Sequence, residues 1–139
     1  MMRALRMIAI ACLLAGLSAC ASTSGQGNAL ERAQYAWSAA IRWGDLDGAW
    51  MQLAPELRER QTLTEIERNR WTQVQITGYR VLSSEAMGEG GSQRLIEIGV
   101  VNRHTMAERQ VRYREQWQWD AARKTWFVSS GLPDLWAGN

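Results

Sequence analysis

The chain has 139 residues and 46% apolar content, which suits one domain with a single core and excludes wholesale disorder. Two Cys and one His are too few for a disulfide-dense scaffold or a four-ligand Cys/His zinc site. The formal net charge is +2. Arg3 and Arg6 supply that excess, so charge gives no reason to expect nucleic-acid binding once the N-terminal segment is removed.

The N-terminal segment has the pattern of a secretion signal. Arg3 and Arg6 form a basic start, and the run from Met7 to Leu17 is apolar. Eleven apolar residues are too few to span a membrane but are typical of a signal peptide. The segment ends in Leu17-Ser18-Ala19-Cys20.

This ending resembles the lipobox of bacterial lipoproteins, in which an apolar residue and two small residues precede an obligatory Cys. The resemblance implies a signal peptide over residues 1–19 and a diacylglycerol thioether on Cys20. It implies attachment to the membrane through that lipid, and Ala21 favours the periplasmic leaflet of the outer membrane. The alternative is a secreted protein in which Cys20 is a chance thiol.

Residues 20–28 are predicted to be the lipidated Cys and a flexible, small and polar tether, and residues 29–139 a single domain. Asn28 is predicted to cap a first helix that ends at Gly44. Its apolar face follows from spacings of three and four residues: Leu30, Ala33, Trp37 and Ile41.

Two further helical stretches are predicted. A short one begins at Asp45 or Asp47 and ends at Pro55. A charged one runs from Glu56 to about Arg70, with a capping box at Thr64 and Glu67 and with Ile66 facing inward.

After Trp71 the apolar period changes from the helical one to two, which predicts strands. A bulge is expected at Gly78, and residues 83–92 read as a flexible loop. The predicted strands are 73–81, 94–101, 110–119 and 126–128. Helices followed by antiparallel strands predict an α+β fold with the helices on one face of a four-stranded sheet.

The element order resembles the nuclear-transport-factor-2-like (SnoaL-like) superfamily over roughly residues 29–130. The resemblance rests on the helix-turn of residues 43–50, on the bent first strand and on the aromatic hairpin of residues 117–128. It implies a curved sheet that wraps a helix and leaves a conical pocket. Members include isomerases, dehydratases, hydrolases and proteins without catalysis, so the fold does not determine the function.

The candidate pocket is the inward face of the third strand: Arg109, Tyr113, Glu115, Trp117 and Trp119. Glu115 between aromatic residues is either an acid or base with a raised pKa, or the partner of an Arg on a neighbouring element, or a group at the open edge. His104 is expected in an exposed turn. Most of the eight Trp are expected in the core, with Trp43, Trp71 and Trp136 less well explained.

The sequence favours a periplasm-facing, membrane-anchored lipoprotein that is a non-enzymatic binding or accessory module of the cell envelope. Its partner would be an envelope protein or a small apolar ligand. No catalytic residue, metal or cofactor is predicted. Two alternatives remain open: an enzyme of this fold that uses Glu115 or Tyr113, and a purely structural outer-membrane accessory.

Overall fold

A computed structural model describes Met1 and residues 25–137. The predicted signal peptide, Cys20 and residues 21–24 lie outside the described residues, apart from Met1. The chain divides into two compact units, Met1–Arg32 and Ala33–Asn139. The first unit contributes helical residues 25–32, and the fold described below is that of the second unit.

Helix α1 covers residues 25–43 of the described chain. The prediction of a tether through residue 28 with a helix cap at Asn28 is therefore wrong for residues 25–28, which are helical. Extending an existing helix by a turn costs much less than nucleating one, so small polar residues can be included. Gly44 ends α1 as predicted, with a φ of 68°. The Gly44 N–H donates to the Ile41 carbonyl and the Asp45 N–H to the Ala40 carbonyl, which is a Schellman ending.

Three short helices follow: α2 (Leu46–Met51), α3 (Pro55–Arg60) and α4 (Glu65–Thr72). Asp45 caps α2 by accepting from the Gly48 N–H at 2.9 Å. Pro55 both follows α2 and begins α3, a position where its missing N–H costs nothing.

The predicted single charged stretch is two helices, separated by residues 61–64. The Thr64–Glu67 capping box is confirmed at the start of α4. The inward orientation predicted for Ile66 is wrong, because its side chain is 72% exposed. Helix α4 fully buries no residue. Trp71 near its C-terminal end is partly buried, as is Leu63, which precedes the helix.

Four antiparallel strands form one sheet in the order β1-β2-β3-β4. They are β1 (Val74–Ala86), β2 (Gly91–Asn102), β3 (Glu108–Asp120) and β4 (Thr125–Val128). The α+β fold with N-terminal helices before a four-stranded antiparallel sheet is thus confirmed.

Strand β1 differs from the prediction in length. A register shift between Ile76 and Gly78 confirms the bulge, and a second shift follows Val81. The loop predicted over 83–92 is wrong for most of its residues, since residues 83–86 pair with 92–95 of β2. The Ser, Glu and Gly content of residues 83–92 predicts a loop. Composition does not reveal that a neighbouring strand supplies ladder hydrogen bonds.

The core lies between the helices and one face of the sheet. Burial alternates along β3, with the odd-numbered residues 111–117 buried and the even-numbered ones exposed, which confirms the predicted phase. Trp37 of α1 stacks on Tyr113 at 6.5 Å and meets Trp117 edge-on at 6.2 Å between ring centroids. These contacts dock α1 against β3.

In the part of the chain that the structure describes, no helix is long and apolar enough to cross a membrane.

Candidate functional site

The carboxylate of Glu115 lies at the centre of a buried polar cluster and is 0% exposed. Arg94, directly opposite on β2, donates to Oε1 from Nε at 2.7 Å and pairs with the same oxygen from Nη2 at 2.6 Å. The Trp117 indole N–H also donates to Oε1. The Tyr79 hydroxyl of β1 donates to Oε2. The sequence leaves three roles open for Glu115. The structure shows one of them, the ion pair with an Arg on a neighbouring strand.

Each member of this cluster is satisfied by another member, so a charged pair is held inside an apolar core. Burial, together with the nearby Glu115 charge, raises the pKa of the Tyr79 hydroxyl far above its usual value. A hydroxyl with so high a pKa remains a hydrogen-bond donor at physiological pH. The arrangement is that of a structural network, since Glu115 reaches no open space.

Tyr113 is on the same face of β3 but is bonded elsewhere. Its hydroxyl donates to the Gly131 carbonyl at 2.6 Å and lies 2.8 Å from the Ser130 hydroxyl. Burial raises the pKa of the Tyr113 hydroxyl as well. Tyr113 therefore ties the segment after β4 to the sheet.

The other two predicted pocket residues lie apart from Glu115. Arg109 donates to the Leu135 carbonyl, and its guanidinium carbon is 5.2 Å from the centre of the Trp136 ring. Trp119 is opposite Trp126 on β4, with 5.6 Å between their ring centroids. The five predicted residues thus share a strand face, but Arg109, Tyr113 and Trp119 make their contacts away from Glu115.

Several cavities open on the described surface, and three of them adjoin one another at the end of α1. Trp43, the last residue of α1 before Gly44, is 87% exposed and borders three adjoining cavities. We call the first of these, with a volume of about 260 Å³, the Trp43 cleft. Its lining residues are Arg42, Trp43, Gly44, Trp71, Val74, Gln75, Ile76, Arg103 and Leu135.

Two arginines of the Trp43 cleft are held in place by backbone carbonyls. Arg42 donates from Nη2 to the Tyr79 carbonyl at 3.1 Å, with its guanidinium carbon 5.9 Å from the centre of the Tyr79 ring. Arg103 donates from Nε to the Val74 carbonyl at 3.1 Å. Among the described residues that line this cleft, none is Asp or Glu. The cleft is therefore a cationic site with aromatic and aliphatic walls.

The sequence did not predict this site, although two of its residues were less well explained than the other tryptophans. Trp43 and Trp71 stood out because neither fits the apolar phase of its element. Arg42 and Arg103 gave no signal, because they are single arginines, one near a helix end and one in the turn after β2. His104, in the same turn, is exposed as predicted.

Within residues 25–137, no group of three or more His, Cys, Asp or Glu is arranged to hold a metal ion. The chain matches no protein-family model and no curated protein sequence.

Proposed function

We propose that this chain is a lipid-anchored protein of the bacterial cell envelope that binds a partner or ligand and performs no catalysis. The support for the anchor is Leu17-Ser18-Ala19-Cys20 after an eleven-residue apolar run. Two or three acyl chains on Cys20 would hold the protein at the membrane, because a single chain gives only marginal binding. Ala21 supports placement on the periplasmic leaflet of the outer membrane.

The observation that carries the binding role is the exposure of Trp43 at a concave site. A single exposed apolar side chain on a convex surface needs no explanation. An 87% exposed Trp that borders three adjoining cavities is different, because ligand sites combine concavity, aromatic walls and a few polar groups.

The enzyme alternative has less support. A general acid or base must come within hydrogen-bond reach of its substrate. Glu115 is enclosed by Arg94, Tyr79 and Trp117, and the Tyr113 hydroxyl is bonded to Gly131. Neither residue lines the Trp43 cleft.

We also propose that the domain belongs to the nuclear-transport-factor-2-like superfamily. Helices that precede a four-stranded antiparallel sheet, and a first strand bent by bulges, are compatible with its cone-like fold. In that superfamily, members without catalysis occur beside the enzymes, which is consistent with a binding role.

Lipid anchoring is tested by Cys20→Ala in cells supplied with labelled palmitate. The parent chain should take up label and partition into the detergent phase, whereas the variant should stay unlabelled. Cys12→Ala is the matched control, since Cys12 lies inside the predicted signal peptide, and it should behave as the parent does. An unlabelled parent in the aqueous phase would refute the anchor.

The binding role is tested by photo-crosslinking in cells. A photoreactive phenylalanine derivative, which keeps an aromatic ring, replaces Trp43 or, as a control, Met106, which is also largely exposed but lies in the turn before β3. An adduct of defined mass at position 43 and none at position 106 is expected. Equal labelling at both positions, or none at either, contradicts a binding site at Trp43.

A further inference from the structure

We propose that the Trp43 cleft binds an acidic sugar of about monosaccharide size, with its acid group on the arginines and its ring against the tryptophans. This inference deepens the proposed binding function and rests on it.

The charge of the cleft selects an anion. Arg42 and Arg103 both line it, and none of its described lining residues is acidic. Asp45 and Asp47 line the adjoining cavity that shares Arg103. Each guanidinium carries five N–H groups, and one bond to a backbone carbonyl leaves others for a ligand. Carboxylates and phosphates are the anions that match the planar guanidinium best.

The backbone bonds also orient these two side chains before a ligand arrives. Arg103 is fixed through Nε to Val74, and the Arg103 backbone N–H donates to the Gln73 carbonyl at 2.9 Å. Arg42 is fixed to Tyr79 through Nη2. Side chains held in this way lose less conformational entropy on binding, so affinity rises.

The other residues that line the cleft favour a ligand with an apolar face and hydroxyl groups. Trp43 and Trp71 offer aromatic surface, and the partly exposed Ile76 adds aliphatic surface, whereas Val74 and Leu135 border the cleft but are almost fully buried. The C–H face of a pyranose can pack on such surface, as apolar area is removed from water. Gln75 lines the same cleft, and a glutamine amide can both donate to and accept from hydroxyl groups.

The volume limits the size of the ligand. About 260 Å³ lies below the range of about 300–1,000 Å³ that is typical of drug-sized ligands. The cleft by itself is therefore suited to one sugar ring. The adjoining cavities at Trp43, of about 400 Å³ each, leave room for a longer ligand to continue. Acidic sugars of this kind occur in the cell wall with a carboxylate and in envelope glycolipids with a phosphate, and a binding test separates the two.

The test is calorimetric titration of the lipidated protein in non-ionic detergent. The probes are N-acetylmuramic acid (a carboxylate), N-acetylglucosamine 6-phosphate (a phosphate) and neutral N-acetylglucosamine. At least one acidic probe should bind about tenfold or more tightly than the neutral sugar, and added salt should reduce the difference. The better acidic probe identifies the source of the ligand. Equal affinity for all three, or binding of none, would overturn the proposal.

Variants separate the two halves of the cleft. Arg103→Met should weaken the acidic probe about tenfold and leave the neutral sugar unchanged, whereas Arg103→Lys should retain most of the preference. Trp43→Ala should weaken every probe. Arg112→Met on the exposed face of β3 is the matched control and should change nothing. Loss of the preference in Arg112→Met, or its full retention in Arg103→Met, would contradict the assignment.

The outcome also separates this inference from the proposed function. If crosslinking at position 43 succeeds but no acidic sugar binds, the binding role stands and the ligand class is wrong. If both fail, the binding role itself is wrong.

Discussion

The buried cluster of Tyr79, Arg94, Glu115 and Trp117 allows a direct test of what stabilises the core. Glu115→Ala removes the carboxylate that pairs with Arg94, whose side chain is itself only 10% exposed. Breaking a buried ion pair by removing one partner costs about 3–5 kcal/mol, because the other charge stays buried and unpaired. We therefore expect the free energy of unfolding to fall by about that amount. A domain of this size is stable by about 5–15 kcal/mol, so the variant would retain between about 0 and 12 kcal/mol at 25 °C.

The double variant Arg94→Met/Glu115→Leu distinguishes the ion pair from simple packing. It leaves no buried charge, but two neutral donors, the Tyr79 hydroxyl and the Trp117 indole, lose their acceptor. Each unsatisfied donor costs about 1–3 kcal/mol, which gives about 2–6 kcal/mol in total. The single variants Arg94→Met and Glu115→Leu, at about 3–5 kcal/mol each, would sum to about 6–10 kcal/mol. The double variant should therefore be less damaging than that sum by about 4 kcal/mol.

Urea titrations followed by far-ultraviolet circular dichroism measure these differences, provided that the slopes with denaturant agree. Arg80→Met is the matched control, because Arg80 pairs with Glu97 on the outer face and is largely exposed. Its cost should be under about 1 kcal/mol, as for other surface pairs. A Glu115→Ala cost as small as that of Arg80→Met, or strict additivity in the double variant, would refute the structural role of the pair.

Two further predictions follow from the same face of the sheet. The pKa of Tyr79 is raised in the folded state, so stability that is present below pH 10 should be lost as the pH rises further. In urea titrations above about pH 10, the free energy of unfolding should fall by about 1.4 kcal/mol per pH unit for each such tyrosine. Tyr79→Phe should reduce this slope by the contribution of one tyrosine. An unchanged slope in that variant would contradict the raised pKa of Tyr79. Trp117→Ala should cost about 3–5 kcal/mol and its exposed neighbour Gln118→Ala under about 1 kcal/mol. Equal urea midpoints for these two variants would mean that the register of β3 has been misread.

The local features of this fold could be predicted from the sequence. Gly44 ends α1, Asp45 caps α2, and Thr64 with Glu67 caps α4, because each depends on backbone groups within a few residues. The alternation along β3 was equally clear, since a strand with one buried face must repeat every two residues.

The sequence predictions were wrong where the presence or absence of a contact with a distant part of the chain decides the structure. Residues 83–86 look like a loop but form a strand, because β2 supplies their hydrogen bonds. Ile66 looks like a core residue but is exposed, because no element of the described part of the chain covers that side of α4. Periodicity reports which side chains share a face, but it does not report what covers the face.

By itself, the sequence determined the lipobox prediction, the α+β order and the inward phase of Glu115. The tertiary structure alone decided which Arg pairs with that carboxylate, since Arg94 meets it only through the register of β2 on β3. It also decided where the open cleft lies. Arg42, Trp71 and Arg103 are separated along the chain and come together only when the end of α1, the end of α4 and the turn after β2 are packed. A site built from such distant residues has no local signature, because its chemistry is created by packing.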